Sequence, residues 1–358
     1  MLSFGAHVIQ IHQVRYMPHN QRDKSDDLVP LELDEAISRF LRHMKPGWRD
    51  STYDNAVTRL GHFTDWFEQA EITDLNSLNG RHLSDFVEWR HGEVKPITLQ
   101  KQLSTPRQAL RYWVTLEAVS RGLAEKLQAP ELPDGAEVSN VVIDSSRVRK
   151  ILEYHNRYRY ASRHHAMAVI LWRTGMRRGS LHSLDVDDLR PDDHALVLKH
   201  RPESDTYLKN GKHGERWVNL KPQYFQIIQD YVNSPNRPDV TDRFGRDPLI
   251  TTRNGRPHPT TLTDNTYRMT RPCEYGPCPV GRVPEDCQGT TDPEKCPEKR
   301  GPHAFRRASI SEHLRHSTQP DIVSDRCNVS LKVLYRHYDV RTEREKMAVR
   351  KNQLPDWS

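Results

Sequence analysis

Between residues 30 and 126 the apolar positions recur at helical spacing. Ala36, Ile37, Phe40, Leu41 and Met44 line one face, and Tyr53, Val57, Leu60, Phe63 and Phe67 line another behind an Asp50-Ser51 start signal. Leu83 to Trp89 predicts a shorter helix, and Leu99, Leu103, Leu110 and Val114 predict a long one that Pro106 kinks. Four or five such amphipathic helices make a bundle. At these spacings Trp66, Trp89 and Trp113 are expected in its core rather than stacked on bases. The pattern stops at Gln128–Asn140, a stretch with two prolines that reads as an exposed linker. Beyond it come helices over Ser146–Tyr158 and His164–Thr174. Strand-like runs follow at Ala195–Lys199 and Arg216–Leu220, flanking a turn-rich segment, and helices continue to the end. The expected fold class is mainly α with a small β-sheet. The longest unbroken apolar run, Ala166–Trp172, falls far short of the roughly 20 residues that span a bilayer. Histidines interrupt the apolar residues near the N-terminus, so no signal peptide is read there and a cytoplasmic location is expected.

A length of 358 residues suits two domains, and 35% hydrophobic with 28% charged residues is ordinary for a globular chain. The net charge of +6 is unevenly spread. Residues 1–140 hold 16 Lys+Arg against 20 Asp+Glu, which leaves 38 against 28 for the remainder. A basic C-terminal part suits a polyanion, because bound Lys and Arg release phosphate counterions. Four of the five cysteines, Cys273, Cys278, Cys287 and Cys296, lie within 24 residues. In a reducing cytosol such a cluster is expected to hold a structural Zn²⁺ with no open position for chemistry, while Cys327 is expected to be simply buried. Phosphate loops, HExxH, GxSxG and Rossmann glycine patterns are all missing, which argues against nucleotide hydrolysis.

The basic part carries instead Arg177 in TGMRRGSL, Lys209 in LKNGKHGER, His303 and Arg306 in PHAFRR, and two tyrosines in NVSLKVLYRHYD. Together and in this order these motifs resemble the tyrosine recombinase (phage integrase) family, and its archaeal-type members in particular. The resemblance spans about residues 30–350. It implies a helical core-binding, SAM-like DNA clamp at 30–127 after a 1–29 extension, a linker at 128–140, and a mixed α/β catalytic domain at 141–358 with a zinc-type insert at 271–298. It also implies Arg177, Lys209, His303, Arg306 and Tyr338 as catalytic residues, with no cofactor for the chemistry. Cleavage would proceed by attack of the tyrosine on phosphorus, two arginines holding the charge on the phosphate oxygens, His303 taking a proton and Lys209 supplying one. The product would be a 3′-phosphotyrosine, rejoined without ATP.

Some residues depart from the family pattern. Tyr335 lies one turn before Tyr338 and competes with it as nucleophile, and Lys212 competes with Lys209. The register that selects Tyr338 puts Asn328 and Val329 opposite the family's Gly-His pair, so one phosphate donor is missing unless His337 or a water replaces it. Ser180 stands where an acidic residue often supports the first arginine. A tail helix is expected over Thr342–Asn352. The expected partners are double-stranded DNA carrying a specific recombination site, further copies of the chain forming a tetramer on DNA, and an accessory DNA-bending protein, with nucleoid association and no membrane. A type IB topoisomerase-like strand-passage enzyme and a catalytically weakened DNA-binding regulator are the alternatives.

Overall fold

Two compact units divide the chain, Met1–Glu137 and Val138–Ser358. The computed structural model describes residues 28–133, 141–339 and 341–351. Most of the expected 1–29 extension, the 134–140 part of the expected linker and Asn352 of the expected tail helix therefore lie outside the described residues.

The first unit is a helical bundle of α1 (Leu33–Met44), α2 (Asp50–Gln69), α3 (Gly80–His91), α4 (Pro96–Gln102), α5 (Ser104–Thr115) and α6 (Leu123–Lys126). Aromatic rings fill its centre: Phe63 meets Phe86 edge to face at 5.0 Å, and buried Trp113 donates from Nε1 to Ala36 O at 2.9 Å. Trp66 is buried and Trp89 half-buried against the same core. The structure corrects one expectation. The kinked helix over Leu99–Val114 is two helices, broken at Leu103. Pro106 has no N–H for the carbonyl of Gln102 and its ring crowds that carbonyl, so the chain restarts ahead of it rather than bending through it.

The second unit contains α7 (Ser145–Tyr158), α8 (Arg163–Thr174), α9 (Arg178–Ser183), β1 (Leu189–Arg190), β2 (Ala195–Leu198), β3 (Arg216–Asn219), α10 (Pro222–Val232), α11 (Pro259–Thr270) and α12 (Gln288–Thr291), followed by α13 (Pro302–Arg315), α14 (Pro320–Cys327), α15 (Leu331–Val333), a π-helical turn over Leu334–Tyr338, and α16 (Glu343–Lys351). Nearly every residue of α8 is buried, because α7, α10, α11 and α13 pack around it. Its run of apolar residues without amphipathic period is therefore a central helix. The sheet is antiparallel in the order β1-β2-β3, with Leu196 opposite Val218 and Leu198 opposite Arg216. The two-residue β1 was too short to leave a pattern in the sequence. Among the described residues no helix is long and apolar enough to cross a membrane.

Beneath the α7–α8 junction, burial pushes the imidazoles of His155 and His165 down to about 3 and about 4. Both stay neutral in the folded chain at pH values where an exposed imidazole, ordinarily near 6.5, takes up a proton. The unfolded chain then binds more protons than the folded one, so stability present above about pH 6.5 is lost as the pH falls toward 4. We expect the thermal midpoint to be flat above pH 7 and to drop between pH 6.5 and 5. A midpoint constant over that range would contradict it.

Candidate active site

The site forms where the C-terminal end of α8 meets α13, the end of α14 and the π-helical turn. Gly175 caps α8 with φ of +59°, and a Cβ there would come within 2.9 Å of Cys327 Sγ and 3.1 Å of Ser309 Oγ. Only glycine suits both the conformation and the space. The turn delivers Arg177, whose Nη1 donates to Asn328 O at 2.8 Å. From α13, buried Arg306 donates through Nη1 to Gly175 O at 2.7 Å and to Cys327 O at 2.8 Å. The two arginines thus hold consecutive carbonyls at the end of α14, where Asn328 is left-handed with φ of +48°. Asn tolerates that conformation better than other non-glycine residues do. Nε and Nη2 of Arg306 are buried with no partner.

Tyr338 lies against this pair. Its ring is 5.0 Å from the guanidinium carbon of Arg306 and 5.5 Å from the ring of His303, and its backbone carbonyl accepts from Ser311 Oγ at 2.6 Å. Tyr335 is 51% exposed. The π-helical turn, closed by Asp339 N to Leu334 O at 3.0 Å, widens the last helical turn and sets Tyr338 inward. His303 lies at the edge of the site with its imidazole below the ordinary value. Desolvation is the first cause, and the charges of Arg306, Arg307, Arg177 and Lys209 act in the same direction. Lys209 and Lys212 are both exposed on the loop between β2 and β3, and Lys209 is among the charges that lower the imidazole of His303. That loop is tied to the site by Asn210 Nδ2 donating to Asn328 Oδ1 at 2.8 Å.

The sequence reading missed three contributors. Asn328 is the hub that both Arg177 and the Lys209 loop grip. Arg216, at the start of β3, donates from Nε to Arg326 O at 2.8 Å and from Nη1 to Gly214 O at 2.8 Å. Burial is the main cause that presses it down to about 10, and Arg306, Arg177 and Arg326 act the same way. Arg307, one residue after Arg306, is buried with Nε and Nη1 unpartnered. A doubled arginine in PHAFRR and an Asn just after a helix were the available signals. Val329, at the position of the absent histidine, is packed with Ile310, Leu314 and Leu334 in a small apolar cluster that also holds Tyr338. Ser180 gives Arg177 no carboxylate. Among the described residues none of Arg177, Arg216, Arg306 and Arg307 has an acidic partner. Buried guanidinium charge without a counter-charge is costly, and a bound oxyanion removes that cost.

The fold has solved counterparts. A Tn1549 transposon integrase in complex with transposon right end DNA matches with TM-score 0.64 and 13% identity, over 90% of this chain and 99% of that one. A lambda integrase dimer bound to a COC′ core site matches with TM-score 0.59 and 11% identity, over 97% and 84%. The lambda integrase tetramer bound to a Holliday junction matches with TM-score 0.58 and 12% identity, over 89% and 83%. The fold is an integrase fold. No family model matches the sequence, and neither does any curated protein.

The four cysteines expected to hold zinc are not gathered into a closed site. Cys273 is exposed, Cys278 and Cys287 are half-buried and Cys296 is buried. Among the described residues no group of three or more Cys, His, Asp or Glu is placed to hold a metal ion. Guanidinium groups staple the insert instead. Arg271 donates to Gly289 O at 2.9 Å and Thr290 O at 2.8 Å, and Arg147 donates to Thr270 O at 2.5 Å and Glu298 O at 2.6 Å. As placed, the residues do not fit a four-thiolate zinc. Cys327 is fully buried, and its burial raises the thiol above its usual value.

Proposed function

We propose that the protein is a site-specific DNA recombinase that cleaves and rejoins DNA through Tyr338. The observation that carries this reading is the pair Arg177 and Arg306, free of carboxylates, set against one buried tyrosine. The likeness of fold to integrases solved on DNA supports it. In the proposed step the Tyr338 oxygen bonds to phosphorus as the bond to the 5′-oxygen breaks. The phenol proton passes to His303, whose imidazole burial first and neighbouring cations second hold below its ordinary value, and Lys209 gives a proton to the departing 5′-oxygen. Arg177 and Arg306 stabilise the charge on the non-bridging oxygens. The 3′-phosphotyrosine conserves the phosphodiester energy, so attack by a new 5′-hydroxyl completes exchange. We further propose that the active assembly is a tetramer on DNA.

Covalent trapping tests the reading. A nicked substrate carrying the chain's recombination site should give a DNA-linked band with wild type and with Tyr335→Phe, and none with Tyr338→Phe. A band lost only in Tyr335→Phe would overturn the choice of nucleophile. Binding without any band would leave the regulator reading, and relaxation of plasmids lacking the site would favour the topoisomerase reading.

A further inference from the structure

A second face of α13, carrying Ser309, Glu312 and His313, lines a cavity of about 540 Å³ with Arg149, Arg173 and Lys221. Three permanent cations face a single carboxylate there, and Glu312 is already engaged by Arg149 at 3.8 Å and Arg315 at 3.7 Å. Among the described residues Arg173 makes no ion pair, and the charge of Glu312 reaches it only at longer range. Its guanidinium carbon sits 3.8 Å from the centre of the Tyr224 ring, and its Nε is buried with no hydrogen-bond partner. Lys221 occupies the N-cap of α10, with no side-chain cap and no acidic residue in the first turn. A helix start usually takes Ser, Thr, Asp or Asn there, because the helix end is itself positive. Lys221 adds positive charge to positive charge. The Ser309 hydroxyl, on a side chain 1% exposed, has no partner either. Two cations that form no ion pair among the described residues, an uncapped helix start and an unused hydroxyl call for a ligand with several anionic oxygens.

We propose that this cavity binds a phosphate group, separately from the arginine pair of the active site. The phosphate would come from a small phosphorylated molecule or from a DNA backbone. Ser309 would relay its occupancy, since the hydroxyl lies against Gly175, whose carbonyl holds Arg306.

The test uses the full chain and inorganic phosphate, with binding read by ³¹P line broadening and titration calorimetry. Arg173→Gln with Lys221→Gln is expected to weaken phosphate binding by at least about tenfold, the loss of one charge-assisted contact or more. Arg177→Gln with Arg306→Gln should leave that component in place. Lys221→Gln alone, at an exposed position, gives a smaller loss in the same direction and guards against misfolding of the double variant. Phosphate binding by wild type that Arg173→Gln with Lys221→Gln does not change would overturn the proposal, as would no binding of phosphate together with an unchanged salt dependence of DNA binding. A DNA salt slope reduced by about two in the double variant identifies the source as backbone phosphate, and an unchanged slope with lost phosphate binding identifies a small molecule.

Discussion

Replacing Arg306 with lysine should slow DNA cleavage by about 10²–10³-fold, the effect of removing one donor aimed at a developing oxyanion. Nη1 of Arg306 is occupied by Gly175 O and Cys327 O, while Nε and Nη2 are unpartnered and buried. One edge of the guanidinium therefore builds the site and the other is left for the phosphate. A lysine ammonium supplies three donors from one point and cannot serve both edges. If it keeps the carbonyls it loses the phosphate fork, and if it turns to the phosphate it leaves two buried carbonyls unsatisfied, at about 1–3 kcal/mol each. The readout is single-turnover cleavage beside DNA affinity and thermal midpoint. A loss of cleavage larger than the loss of binding, with the fold retained, is the expected pattern. Cleavage within tenfold of wild type would refute the assignment.

The same division explains what the sequence could and could not show. In the proposed mechanism Arg177, His303, Arg306 and Tyr338 act through their side chains, so their types and order mark them, and the fold gathers all four at the end of α8. Their supports act through the main chain. The carbonyls of Gly175, Cys327 and Asn328 that fix both arginines belong to no residue type, and only the left-handed turn at Asn328 places them. Long elements were legible for the complementary reason that burial alone sets their pattern, α2 by its helical period and α8 by an unbroken apolar run. The break between α4 and α5 depended on which side of Pro106 the chain would yield. In the cysteine-bearing insert the supports again act on the main chain, where Arg271 and Arg147 satisfy carbonyls that no residue type announces.

Removing one carboxylate far from the nucleophile should be the most destabilising change in the second unit. Asp185, 5% exposed, accepts from Arg246 Nε at 2.8 Å, pairs also with Arg256, and lies 3.4 Å from Arg201 Nη1. Fully buried Asp188 pairs with Arg201 at 2.5 Å, and Asp242 with Arg256 at 2.8 Å. In Asp185→Ala three guanidinium groups lose a shared counter-charge, and among the described residues Arg246 is left with no carboxylate at all. Breaking such a buried pair costs about 3–5 kcal/mol. For a unit of this size that is a fall in thermal midpoint of roughly 6–20 °C. The loss also reaches the site. Arg201 and Thr206 bridge the base of the Lys209 loop through 3.1 Å bonds in both directions, and Arg246 donates to Thr206 Oγ1 at 2.8 Å. Cleavage by Asp185→Ala should then fall even at temperatures where the variant stays folded, while Tyr338 and the arginine pair keep their places. Adding Arg246→Met to Asp185→Ala removes the orphaned charge and should recover part of the midpoint. If the single variant melts within about 1 °C of wild type, or the second substitution deepens the loss, the network is not what fixes this loop.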